Sequence, residues 1–249
     1  MVLVESPPAP SSAPTEAQRR TARIAGWAFV ITFVTSISEL LLYEPLLKHT
    51  KYIFGSSAHA GIALGATLEV FLAISGIATA VVLYPIIKRQ SQSISLGYVA
   101  SRTLESTVIV VGIVSVMSVV TLRHDVGGAG AASPAALVLV ERSLVAIHDW
   151  TFLLGPGFCA GFGNGILLGY LMYRSGLVPP GMAMLGLIGG PLIFASGIAI
   201  LFGAFKNGSP AASLLALPEI AWEASLGIYL IVKGFRPSPI LAARPAPTS

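Results

Sequence analysis

Six long apolar stretches divide the chain, at roughly residues 24–47, 61–87, 95–122, 147–173, 181–204 and 213–233. Each supplies the ~20 apolar residues that carry a helix across about 30 Å of hydrocarbon. None shows the short, strict alternation of a barrel strand, and a helix satisfies its own backbone groups where water is absent. The pattern predicts an all-α, polytopic bundle of six transmembrane helices. Before the first stretch, residues 1–20 (MVLVESPPAPSSAPTEAQRR) are rich in Pro, Ser and Ala and read as a disordered tail. Residues 236–249 read as a flexible C-terminal tail. The first apolar run is too long for a signal-peptide core and lacks a small-residue cleavage site, so it is expected to remain as a span. The third connection, about 123–146, contains the apolar run Ala135–Val140. That run fits an interfacial or partly re-entrant helix, or an early start of the fourth span, with the early start favoured.

Composition agrees with the pattern. The chain is 54% hydrophobic and 10% charged, against about 25% charged in a soluble domain, so most of its surface is not built for water. Six spans and short connections leave no separate soluble domain. The net charge of +4, from 15 Lys and Arg against 11 Asp and Glu, could suggest nucleic acid in a soluble protein. Here the basic residues flank spans, and the expected partner is the lipid bilayer, with no nucleic acid. Ten of the 15 basic residues fall on the side that holds both termini. The excess of Lys and Arg places that side in the cytoplasm and the protein in the cell membrane. The lone Cys159 permits no intramolecular disulfide, and no zinc-ligand spacing exists.

Glutamates interrupt the spans. An ionised carboxylate at the bilayer centre costs a few kcal/mol on insertion scales, so such a group faces protein or water or holds a proton. Counting ~1.5 Å per residue from the basic anchors, Glu39 lies roughly 24 Å above Arg23 and Glu69 roughly 28 Å above Lys88. By the same count Glu219 and Glu223 lie roughly 21 and 15 Å above Lys233. All four fall at mid-membrane or beyond it, and Glu223 is the deepest. Two arrangements are open: a shared, outward-facing water-filled cavity, or separate contacts with neighbouring helices and headgroups. Glu219 and Glu223 share a helix face one turn apart, which suits a proton relay or a cation site. Pro218 also allows Glu219 to be a first-turn acid.

His148 and Asp149 stand at the head of the fourth span. Asp149 is expected to be its N-cap, and a ligand or base role at the outer mouth is the alternative for this pair. Arg102 and Glu105 form an i, i+3 pair with a structural role near the inner end of the third span. Gly157, Gly161 and Gly165 repeat every four residues and form a flat stripe for close helix packing. Asn164 can hydrogen-bond across that interface, and Pro156 can bend the helix. His49, His59, His124 and His148 form no His-rich motif, so no metal and no cofactor are expected. No Gly-x-Ser-x-Gly, HExxH or phosphate-loop signature occurs.

Three segments together resemble one family. RRTARIAGWAFVITFVTSISELL, LLGYLMYRSGLVPP (Leu167–Pro180) and LPEIAWEASLGIYLIVKG (Leu217–Gly234) are similar to the opening, the fourth-span exit and the closing helix of a bacterial family. That family is the domain of unknown function numbered 4386. The likeness covers about residues 20–235, and Pro180 and Gly190–Pro191 depart from the pattern. It implies a multi-pass protein of the bacterial inner membrane and supplies no reaction. Three functions fit this reading. The first is binding or proton- or cation-linked transport of a small molecule or cation through the acidic cavity. The second is an enzyme acting on a lipid or hydrophobic molecule, and the third is a non-catalytic sensor or accessory protein.

Overall fold

The computed structural model describes residues 12–47, 52–54, 59–126 and 133–242. Residues 1–11, which make up much of the expected N-terminal tail, lie outside these, as do His49 and residues 243–249. Six helices carry the fold. They are α1 (Glu16–Leu47), α2 (His59–Ile87), α3 (Gln92–Val126), α4 (Pro134–Ser175), α5 (Pro180–Leu201) and α6 (Pro210–Val232). All six are long and apolar enough to cross a membrane. Even the shortest, α5 with 22 residues, reaches about 33 Å at ~1.5 Å per residue.

The helices start earlier than the apolar stretches, because polar caps and end turns extend them. Residues 16–20, placed in the tail by composition, are the first turn and more of α1. Thr15 and Gln18 form a reciprocal cap there. Thr15 Oγ1 accepts from the Gln18 N–H at 3.3 Å, and Gln18 Oε1 accepts from the Thr15 N–H at 2.9 Å. Likewise α4 begins at Pro134, and its N-cap Ser133 accepts from the Ala136 N–H. Residues 135–140 are therefore the opening turns of α4. Asp149 lies inside this helix, exposed on its surface, so it is not the N-cap expected from the sequence.

Large apolar side chains such as Trp27, Leu41, Phe71, Val114 and Leu214 point outward, as a lipid-facing surface requires. Inside, one apolar core gathers Phe29, Leu83, Tyr98, Leu171, Trp222 and Leu226. A second joins Tyr43, Ile62, Val116 and Val119 nearer the far ends of α1 and α3. Ser12 and Ser238 pair as an isolated antiparallel bridge, so both described chain ends lie at the same end of the bundle. Residues 236–242, expected to be loose, are held down. The Arg236 N–H donates to Leu177 O at 2.8 Å, Gln18 Nε2 to Leu241 O at 3.2 Å, and Arg89 Nη1 to Ile240 O at 3.2 Å. At the opposite end the buried Glu141 of α4 accepts from the Tyr52 and Ile53 N–H groups, tying down the α1–α2 connection.

Between Leu153 and Leu168, α4 is mostly widened into π-helical turns. Widening turns carbonyls outward, and side chains of other helices use them. Ser101 Oγ donates to Cys159 O at 2.8 Å, and Trp222 Nε1 donates to Asn164 O at 3.0 Å. Pro156, which lacks an N–H, sits in the first of these segments.

The glycine stripe divides by function. Gly161 and Gly165 lie against Gly190 of α5, whereas Gly157 faces no other helix closely. A methyl at Gly190 would lie 2.5 Å from Gly161 O and 2.8 Å from the Ile166 N, and backbone cannot easily yield. Gly190→Ala is expected to cost about 1–3 kcal/mol, read as a lower Tm of the purified protein in detergent. Gly157→Ala, whose methyl would meet Leu153 Cδ1 at 3.5 Å, should leave the Tm nearly unchanged.

Candidate functional site

Two buried polar centres occupy the bundle, separated along its axis. The separation repeats on three helices. Thr32 and Glu39 on α1, Glu69 and Gly76 on α2, and Glu105 and Gly112 on α3 are each two turns apart, about 10 Å. Thr32 and Glu105 line the lower centre. Gly76 meets Arg102, and Gly112 meets His148 and Thr151.

The lower centre is built around Arg102. Its guanidinium is buried and donates from Nη1 to Glu105 Oε2 at 2.6 Å and from Nε to Gly76 O at 3.2 Å. Gly76 makes this approach possible, since a Cβ there would lie 2.9 Å from Arg102 Nη2. Ser106 Oγ donates to Ala73 O at 2.9 Å, so α3 grips α2 at two successive turns. From the other side α6 brings Glu219 and Glu223. Asn164 of the widened α4 donates from Nδ2 to Glu223 Oε1. Glu219 is 2% exposed, and neither of its oxygens has a hydrogen-bond partner among the described residues.

A cavity of about 380 Å³ opens onto these groups. Arg102, Glu105, Glu219 and Glu223 form its polar floor, and Phe33, Phe152 and Ile193 are among its apolar walls. Below the cavity α1 and α6 touch tightly. There Gly26 and Gly227 allow backbone approach, and a Cβ on Gly26 would lie 2.7 Å from Gly227 O. Beyond that contact the two helices line the cavity, which extends to Asn207 and Gly208 in the α5–α6 connection. Ile37 and Ile220, at its rim, are 57% and 46% exposed on the lipid-facing surface.

The upper centre joins Glu39 of α1, Glu69 of α2 and His148 of α4. All three are buried, with ligand atoms within 4.8 Å of one another. His148 Nε2 lies 3.6 Å from Glu69 Oε1, and Tyr43 OH donates to Glu69 Oε2 at 2.9 Å.

The glutamates thus do not form the single acidic cluster centred on Glu223 that depth counting suggests. Glu223 and Glu219 belong to the lower centre, and Glu39 and Glu69 to the upper. Arg102 and Glu105, read from the sequence as an ordinary span-end pair, are central instead. The reason is that α3 begins at Gln92, which puts Arg102 about 15 Å along the helix. His148 joins the upper centre, while its neighbour Asp149 points out of it. Tyr43 in the upper centre, like Gly76 and Ser106 in the lower, has a part that no sequence signal marked. Tyr43 lies one helical turn beyond Glu39, on the same face of α1.

Removing one partner of a buried ion pair leaves a charge uncompensated. Arg102→Met is expected to cost about 3–5 kcal/mol, read by thermal unfolding in detergent. The double replacement Arg102→Met with Glu105→Leu should recover part of that loss.

No curated protein and no solved structure matches the chain. The family model described as Domain of unknown function (DUF4386) matches residues 24–234, which runs from the first turns of α1 past the end of α6. The chain is a member of the DUF4386 family.

Proposed function

We propose that the protein binds a small amphiphilic molecule with a cationic, hydrogen-bond-donating head, and that this binding is the recognition step of transport. The observation that carries the reading is Glu219. Glu219 is among the residues that line the cavity, and both oxygens of its carboxylate are buried beside it with no partner among the described residues. A buried polar group left without a partner is costly, and a donor on a bound molecule would supply the missing contacts once the Glu219 side chain turns toward the cavity. The floor holds three carboxylates and one guanidinium, so ionised it favours a cation. The apolar walls favour an aliphatic or aromatic body. Exposed Ile37 and Ile220 at the rim give such a molecule a route from the bilayer.

The excess of Lys and Arg on the side of the termini supports a cytoplasmic location for both termini in the bacterial inner membrane. The cavity then opens toward the outer face. A C-terminal alkaline phosphatase fusion should be inactive, and a C-terminal green fluorescent protein fusion should fluoresce.

Octylammonium is a suitable probe for binding, titrated calorimetrically into the protein in nanodiscs, with octanol as its uncharged counterpart. Octylammonium should bind more tightly than octanol. Glu219→Gln should weaken it about tenfold, the equivalent of ~1.4 kcal/mol. Gly157→Leu, which adds a side chain to the cavity wall, should abolish it. Equal binding of octanol and octylammonium, or no effect of either variant, would remove the basis of this reading.

A further inference from the structure

The upper centre lies outside the cavity, and its chemistry differs. We propose that Glu39, Glu69 and His148 form a binding site for one divalent transition-metal ion, of which Zn2+ is the representative.

The donor set comes first. Two carboxylate oxygens and one imidazole nitrogen converge within 4.8 Å from three different helices. Ligands held 2.0–2.1 Å from a tetrahedral zinc stand about 3.3 Å apart. The 3.6 Å between His148 Nε2 and Glu69 Oε1 is already near that spacing. A mixed set of nitrogen and oxygen suits Zn2+, Mn2+ or Fe2+. The all-oxygen shells of Ca2+ and Mg2+ and the sulfur ligands of Cu+ are different.

The surroundings orient the donors. Tyr43 OH occupies Oε2 of Glu69, which leaves Oε1, the oxygen facing His148, for an ion. The Tyr43 ring also stands edge-on to the imidazole, with centroids 5.5 Å apart at 82°. Gly65 makes room for that ring, because a Cβ there would lie 2.6 Å from Tyr43 Cε1. Partners that fix ligating side chains in this way are the usual outer shell of a metal site.

An independent observation points to a ligand. Glu39 is 0% exposed and reaches into the triad, yet neither of its oxygens has a hydrogen-bond partner among the described residues. Two ionised glutamates, a neutral imidazole and a divalent cation sum to zero charge, the arrangement that costs least where the dielectric is low.

The test uses the purified full-length protein in nanodiscs, stripped with chelator. Zn2+ binding is followed by calorimetry and by elemental mass spectrometry after dialysis, with Co2+ absorption as the spectroscopic readout. The wild type should bind one Zn2+ per chain. Glu39→Gln, which keeps the side chain's shape, and His148→Ala should each weaken binding about 100-fold or more. Tyr43→Phe, which removes only the orienting hydrogen bond, should weaken it about 10- to 100-fold. Asp149→Asn, adjacent in sequence but outside the triad, should bind as the wild type does. The Co2+ spectrum should lose its nitrogen-ligand character in His148→Ala. The proposal fails if the wild type retains no Zn2+. It fails equally if Glu39→Gln, folded by circular dichroism and monodisperse, binds Zn2+ as tightly as the wild type. A pair of carboxylates that only shares a proton would give the first result, and zinc held elsewhere on the chain would give the second. Octylammonium binding in the cavity is read on other residues, so the two sites stand or fall separately.

Discussion

The guanidinium of Arg102 is the constraint around which the lower half of the bundle is arranged. It is the one Lys or Arg that is buried among the described residues, and hydrocarbon offers it no water. Its requirements therefore propagate. α3 must approach α2 closely enough for Arg102 to reach Gly76 O, which needs a residue without a side chain at position 76. Glu105 must lie one turn along the same helix to neutralise it. Glu219 and Glu223 then face the same space from α6. α4 must yield a carbonyl and an amide to the helix opposite, and its widened turns do so through Asn164, which bonds Glu223 with its side chain and Trp222 with its backbone. Small residues are the counterpart of this polar chain. Gly161, Gly165 and Gly190 bring α4 and α5 together at the level where Glu219 packs.

Six helices and their packing stripe were legible because both depend on local composition. A 20-residue apolar run and a four-residue glycine spacing each carry their meaning along one helix. The polar centres depend on two coordinates, depth and azimuth, and sequence supplies depth alone. Depth does contain part of the answer: Glu39 and Glu69 count to roughly 24 and 28 Å, and Glu223 to roughly 15 Å. The same count from the start of α3 gives about 15 Å for Arg102, level with Glu223. It was hidden because Gln92–Ile94 read as part of the connection before a span that starts at 95, but are helical. His148 was obscured similarly. The early start of the fourth span, favoured for Ala135–Val140, is what the structure has, but His148 was still placed at the head of the apolar stretch that opens at 147 instead of deep within the helix. The π-helical turns had a weaker cue still. Pro156 warned of a bend, but nothing in a glycine-rich run distinguishes a bend from a widened helix.

The two centres share a feature and differ in the space around it. Each leaves one buried carboxylate without a protein donor among the described residues, Glu39 above and Glu219 below. In a soluble protein, water could complete both. In a bundle whose outer surface is Trp, Leu, Phe and Val, water must arrive through the protein or another ligand must take its place. The geometry separates the candidates by size. Glu219 borders about 380 Å³ of space with apolar walls, too large to be filled by an ion and suited to an organic molecule with a polar end. Glu39 faces two other donors at ion-coordinating range, with Tyr43 and His148 in ring contact beside it. Its three donors stand close enough together to share one ion. Placing an ion-sized centre two turns beyond a molecule-sized one, on the same α1, α3 and α4, gives them a common mechanical frame.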